Sequence, residues 1–495
     1  MTFIVMTVVS SSKSPYNNYQ AVIGLEVHAQ LSTNSKIFSA ESAAYGGEPN
    51  TQLGPVSLGQ PGALPFFNKK ALEFAVKMGL ATNCQIQEVN QFARKHYFYA
   101  DLPKGYQTTQ MDTPICFTGH LDIEVNGETK CIRINRIHLE EDAGKSTHDI
   151  DPKHTLVDLN RAGVPLIEIV TEPDIRSAEE ATAYFAEIQK LVRWLGICDG
   201  NMEEGSLRCD ANVSVMLKDA AVYGQRAEVK NLNSIRNLKR AIEFEISRQI
   251  DALETGGKIV QETRSFNADN GTTFSLRTKE DADDYRYFPE PDLPPFIVTN
   301  EYVKAIRKQM PELPSVLQER FIRAYNLSPT DARSLTEERE VALYFVKLAP
   351  LTPNYKVAAN WVLNNVRSYL NDKGVEMAKF PITFENLARL IRLIDEGKIN
   401  HTIANQQLFP AMLQAPDIGP EALAKALNLI QQRDETVIGN IIKDILQAHP
   451  NEVKRYNNGE KQLQGFFMGL VMKASKGIAD PKTATQILIE KLQTK

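Results

Sequence analysis

Apolar and polar residues alternate in several runs before Pro295. Between Val22 and Leu31, Leu25, Val27, Ala29 and Leu31 fall on one face, and Glu26, His28 and Gln30 on the other. Successive side chains of a strand point to opposite faces, so this run predicts a half-buried strand with a polar side. Leu207 to Val215 repeats the pattern. Leu207, Cys209, Ala211, Val213 and Val215 face inward, while Arg208, Asp210, Asn212 and Ser214 share the outer face. In Pro165 to Val170, Glu168 sits between Ile167 and Ile169, and in Ala227 to Asn231, Glu228 and Lys230 share a face.

Helical spacing interrupts these strands twice. Ser177 with Glu180 forms a capping box ahead of Tyr184, Phe185, Ile188, Leu191, Val192 and Leu195. A second helix is expected from about Asn233 to the Gly256-Gly257 stop. The cluster Tyr287 to Pro295 carries prolines at a density that excludes helix and central strand, and it marks an expected boundary. Beyond it, helical periodicity recurs at Ala342 to Leu348, Ala358 to Leu370, Phe384 to Ile394, Val437 to Leu446 and Gly465 to Ala474. The pattern predicts an α+β fold on an antiparallel sheet, followed by an all-helical region and a helical tail. The expected divisions are a disordered leader over 1–18, a first domain over 19–298, a helical domain over 299–420 and a tail domain over 421–495.

The chain has 495 residues, 42% hydrophobic and 24% charged, with a net charge of -5. That length exceeds what one core usually organises, and that charge excludes a wholesale polycation that coats nucleic acid. The five cysteines, Cys84, Cys116, Cys131, Cys198 and Cys209, are scattered without CxxC spacing. Neither a zinc ribbon nor a disulfide framework is expected, and reduced thiols in a cytoplasmic setting are. No run is apolar enough to predict a membrane span. Ala143-Gly144-Lys145-Ser146 is not a P-loop, because Leu139 stands where the motif needs glycine. No GxSxG elbow or HExxH is present.

The informative polar residues come in short segments: Glu26 with His28, His138-Leu139-Glu140-Glu141-Asp142, Glu168, Glu203-Glu204 and Asp210. Lys145, Arg208 and Lys230 lie close to them in sequence. Carboxylates with one imidazole suit Mg²⁺ or Mn²⁺, and cations beside such an ion hold phosphate oxygens. The competing reading is a set of solvated strand faces. Arg-Asp-Asn and Glu-His faces are unlike ordinary surface strands, and their recurrence favours a shared site.

The segments Ile23 to His28, Phe92 to Tyr99, Leu139 to Ser146, Val157 to Arg161, Met202 to Asn212, Lys230 to Ser234 and Asp283 to Asp292 resemble the B-subunit family of aminoacyl-tRNA amidotransferases. The resemblance runs from Tyr19 to the C-terminus. It implies a cradle domain that uses ATP and Mg²⁺ to phosphorylate the side-chain carboxylate of Glu-tRNA(Gln), and of Asp-tRNA(Asn) in some settings. Ammonia from an amidase A subunit then displaces the phosphate, in a heterotrimer with a small C subunit. By this family pattern Glu26, His28, Glu141, Glu168 and Asp210 are the expected metal ligands. By extrapolation beyond that pattern, Glu141, Arg208 and Lys230 are the expected catalytic residues, with Lys145 and Arg208 contacting the nucleotide. No DNA or membrane partner is expected.

Many members of that family carry two cysteine pairs for a structural zinc. Here that stretch reads Phe38 to Ser42 and Gly54 to Ser57, without cysteine, so no zinc is expected and the 39–59 loop must be held by packing and hydrogen bonds. The tail resembles a tRNA-contacting domain, with Lys473 and Lys476 on one helix face after Lys454, Arg455 and Lys461. Phe466, Phe467, Met468 and Leu470 are expected in its core. Two other functions fit the residues: a non-catalytic tRNA-binding scaffold, and a free-standing ATP-dependent ligase for a small acid.

Overall fold

The computed structural model describes residues 15–278, 285–430, 435–475 and 479–493. Residues 1–14 of the expected leader, Asp283, Asp284 and Lys476 lie outside them. The chain divides into two compact units, Met1–Leu313 and Pro314–Lys495. No described helix is long and apolar enough to cross a membrane.

The first unit is built on a nine-stranded sheet. Its strands in chain order are β1 (Tyr19–Gln30), β2 (Gln85–Ile86), β3 (Cys116–Val125), β4 (Glu128–Glu141), β5 (Pro165–Thr171), β6 (Leu207–Leu217), β7 (Ala227–Leu232), β8 (Glu262–Asn267) and β9 (Thr272–Thr278). In space they run β9-β8-β7-β6-β1-β5-β4-β3-β2. All pairings are antiparallel except β7 with β8.

The alternation works as expected. Leu25, Val27, Ala29, Ile167, Ile169, Cys209, Ala211 and Val213 are buried on one face. Helices α1 (Lys69–Ala81), α2 (Ala178–Trp194) and α3 (Ile235–Glu254) contribute to the same core, through residues such as Phe74, Met78, Tyr184, Phe185, Leu238 and Ile242. Each large apolar side chain buried there contributes about 1.5–3 kcal/mol. Ser177 caps α2 by accepting from the Glu180 amide at 3.1 Å, and Ser234 caps α3 through the Asn237 amide at 3.1 Å.

One expectation changes. The proline cluster does not end the first unit, because Val298 and Ile306 belong to its core and Tyr302, Val303, Met310 and Leu313 pack against it. The division therefore falls after Leu313 rather than at 298. Arg286–Pro289 is also a strand, at the edge of a three-stranded sheet with Ala93–His96 and Tyr106–Thr109. An edge position leaves one side of the strand free of ladder bonds, which is where proline is tolerated.

The 39–59 segment is tied down by hydrogen bonds to residues 157–160. The Asn50 side chain donates to the Val157 carbonyl at 2.9 Å, the Gln52 amide donates to Asn160 at 2.8 Å, and Asn160 Nδ2 donates to the Glu48 carbonyl at 2.7 Å.

In the second unit the expected helices appear, with Ala358 to Leu370 split by a π-helical turn at Trp361–Val366. Its last core gathers Ile438, Ile442, Tyr456, Phe467, Val471 and Leu488. Phe466 is not in it: the ring is 42% exposed and meets His449 and Phe467 edge-on. Residues 466 and 467 are about 100° apart around a helix, so only one of them faces inward. Arg455 is held by Glu460 at 2.6 Å, and the Lys461 ammonium lies over the Tyr456 ring at 4.1 Å.

Candidate active site

Strand register assembles the site. Glu26 on β1 stands opposite Asp210 on β6, and His28 opposite both Arg208 and Glu168. Glu168 on β5 is in turn opposite His138 on β4. Residues of one parity on neighbouring strands share a face, so these polar groups all emerge from the side of the sheet opposite the apolar core. Lys95, Thr109 and Tyr287, from the three-stranded sheet, join them as walls of a cleft of about 300 Å³.

Two acidic triads lie in this cleft. His28, Glu140 and Glu168 bring one ligand atom each to within 4.8 Å of one another, and so do Glu26, Asp210 and Glu228. In the first triad Glu168 Oε2 lies 3.4 Å from His28 Nε2 and 3.4 Å from His138 Nε2, with Glu140 3.5 Å from His138. Burial alone would raise the Glu168 pKa, but the two imidazoles outweigh it and hold the carboxyl well below its usual range. Burial likewise opposes charge on His138, yet Glu168 and Glu140 push its pKa up to about 9.

In the second triad Lys230 Nζ reaches Asp210 at 2.8 Å and Glu228 at 2.9 Å, and Asn212 donates to Glu26 at 2.9 Å. Burial followed by the neighbouring Glu168, Glu228 and Asp210 charges raises the Glu26 pKa. Burial disfavours the Lys230 ammonium, but Asp210 and Glu228 overcome that and raise its pKa. Within this triad three carboxylates face one ammonium, Lys230, so it holds unspent negative charge. An oxygen-rich donor set of that kind, with a single imidazole, fits one or two hard divalent cations.

Of the residues expected as metal ligands, Glu26, His28, Glu168 and Asp210 converge, and Lys230 stands among them. Glu141 does not. It ends β4 with the opposite parity to His138 and Glu140, is buried against Lys104, and accepts from the Thr108 amide at 2.7 Å. Arg208 borders His28 in register but is not part of the cleft lining: its guanidinium lies 3.0 Å from both oxygens of buried Asp142, which also accepts from Gln30 at 2.6 Å. Lys145 is exposed on the hairpin strand Lys145–Asp151, outside the cleft. Glu203 and Glu204 are exposed on a turn, their amides bonded to Asn201.

Several cleft residues have no role among those expected from the sequence, among them the cations Lys95 and Arg136 and the groups His138, Glu140 and Glu228. For the last three the signal was available. A strand running through Glu141 puts His138 and Glu140 on one face, and Glu228 shares its face with Lys230.

Comparison with known proteins follows the same division of the chain. Residues 21–304 match the family described as the GatB/GatE catalytic domain, and residues 343–492 match the GatB domain. The chain is 50% identical over 479 residues to a protein of Geobacter sulfurreducens, covering 96% of this chain and 100% of the relative. A protein of Thermodesulfovibrio yellowstonii is 49% identical over 475 residues, covering 96% and 99%. One of Geotalea uraniireducens is 51% identical over 477 residues, covering 96% and 99%. All three are named as the B subunit of an aspartyl/glutamyl-tRNA(Asn/Gln) amidotransferase.

Proposed function

This chain belongs to the GatB family, the B subunits of tRNA-dependent amidotransferases, and on that premise we propose that its cleft phosphorylates the side-chain carboxylate of Glu-tRNA(Gln), of Asp-tRNA(Asn), or of both. The observation that carries the reading is the pair of acidic triads in one cleft, with Lys230 inside it.

The chemistry requires activation. Ammonia cannot expel oxide from a carboxylate, so one oxygen must first become part of a phosphate leaving group. The γ-phosphoryl group passes from ATP to the carboxylate oxygen, releasing ADP. Ammonia then attacks the acyl carbon, the C–O bond breaks, and phosphate departs as the amide forms.

His28, Glu140 and Glu168 would hold one divalent cation such as Mg²⁺, and Glu26, Asp210 and Glu228 a second. Such cations offset the charge of the triphosphate and polarise the phosphoryl oxygens. Lys230 offers three ammonium donors at the cleft, where its charge is sustained by Asp210 and Glu228. His138 orients both Glu140 and Glu168 through one ring nitrogen. Arg208, whose guanidinium is held by Asp142 outside the cleft lining, has no direct part in this step. Within the whole enzyme the ammonia comes from an amidase subunit, with a small third subunit completing the complex.

The test is transfer of labelled phosphate from ATP to Glu-tRNA by the reconstituted complex, alongside tRNA binding. Asp210→Asn and Glu140→Gln should each lower transfer by about 10²–10³-fold, the scale of losing one electrostatic contact to the transition state, while tRNA binding persists. Full transfer in both variants would leave the cleft without a catalytic role.

A further inference from the structure

Lys36, just past β1, is wholly buried, and its ammonium donates to the Ala162 carbonyl at 2.6 Å. Burial pulls its pKa down to about 8, and Glu41, ahead of Glu141 and Asp158, is the charge that most resists the fall. Glu41 belongs to the 39–59 loop, and its carbonyl accepts from the Lys36 amide at 3.0 Å. The Glu41 carboxylate sits in a notch over Gly54, where an added Cβ would collide with Oε1 and the carboxyl carbon. Gly54 has no left-handed φ, so room for that carboxylate is what requires glycine here. Gly54 is held in turn by Ser57, whose Oγ accepts from its amide at 3.1 Å. Glu41 Oε2 is buried without a hydrogen-bond partner. A bare buried carboxylate oxygen and a buried ammonium are each costly alone, and each lowers the cost of the other.

The structural zinc that the family resemblance implies for this stretch does not fit these residues. Structural zinc sites are built from thiolates and imidazoles. Residues 38–42 and 54–57 offer one carboxylate, Glu41, and the hydroxyls of Ser39, Ser42 and Ser57. The Ser57 hydroxyl is already engaged by Gly54. Lys36 adds a buried positive charge close enough to feel Glu41, and that charge repels a dication.

We propose that this chain fastens its 39–59 loop with a metal-free clasp, the Glu41 carboxylate seated over Gly54 and balanced by the buried Lys36 ammonium. Through Ala162 the clasp ties the loop to the turn before β5. The end of the loop lies against the segment that carries Lys104, the partner of Glu141: a Cβ added to Gly59 would be 3.0 Å from Lys104 Cα. The clasp thus holds the loop as a wall over that buried pair.

The intact chain, purified without added metal, is assayed for zinc, and its thermal midpoint is compared before and after a zinc-selective chelator with Mg²⁺ kept in excess. Zinc far below stoichiometric and a midpoint that does not move are expected. Limited proteolysis then reads the loop itself. Glu41→Gln strands the Lys36 ammonium and Gly54→Ala expels the carboxylate from its notch, so each should speed cleavage within 39–59 about tenfold, whereas Glu48→Gln, at an exposed position of the same loop, should not. Adding Glu41→Gln to Lys36→Met should accelerate cleavage less than Glu41→Gln does in the wild type, because no ammonium is left to strand. Stoichiometric zinc, or a midpoint lowered by the chelator, overturns the clasp even if the variants do not fold. Cleavage in Glu41→Gln no faster than in Glu48→Gln, or full additivity with Lys36→Met, overturns it as well.

Discussion

Adjacent glutamates on β4 illustrate how much one position in a strand decides. Glu140 faces the cleft and belongs to a cation-sized triad, while Glu141 is buried against Lys104 on the other side. Their variants should therefore fail differently. Glu140→Gln should weaken Mn²⁺ binding and also lower stability, since it removes one of the two carboxylates that sustain buried His138. Glu141→Gln should leave Mn²⁺ binding near wild type and cost about 3 kcal/mol in urea denaturation, because it strands a buried ammonium. Equal Mn²⁺ losses in the two would contradict the assignment.

His138 supplies a second residue-scale test. Its folded pKa, about 9, lies above the ordinary 6.5. Its stabilising contribution is then fully present below about pH 6.5 and is lost as pH rises through about 9. The contribution is of the order of 3 kcal/mol at most, from the size of the shift. In the metal-free chain the urea midpoint should fall between about pH 6 and pH 9.5, and His138→Gln should flatten that dependence. A wild-type slope retained in the variant would assign the titration to another group.

At the scale of elements, the helices act as the sheet's apolar cover. Phe185 on α2 is fully buried in that layer. Phe185→Ala should cost about 3–5 kcal/mol through lost burial and a residual cavity. Ser177→Ala, which removes only the cap of α2, should cost about 1 kcal/mol. Both are read from denaturation midpoints, and a cap variant as damaging as the core variant would mean that α2 depends on its end rather than on its face. The capping box and the apolar spacing of this helix were legible in the sequence because both signals are local. The edge strand Arg286–Pro289 was not, because its role depends on a partner, Ala93–His96, almost two hundred residues earlier.

For the whole molecule, two compact units with separate cores should not unfold as one. Calorimetry should return a van't Hoff enthalpy below the calorimetric one. Phe467→Ala, in the last core of the second unit, should lower one transition and spare the other. A single transition moved as a whole by that variant would show that the units melt together.

By itself the sequence determined the strand faces, the two capped helices, the change from α+β to helix, and five of the residues that line the cleft, Glu26, His28, Glu168, Asp210 and Lys230. Each rests on short-range periodicity, which burial enforces along a strand or helix. Only the tertiary structure decided which acids meet. The partner that captures Arg208 comes from the turn after β4. The grouping into two triads arises because β1, β4, β5, β6 and β7 lie side by side in an order that the chain does not follow. Ladder register converts distant positions into neighbours a few ångströms apart, and no local pattern encodes that distance.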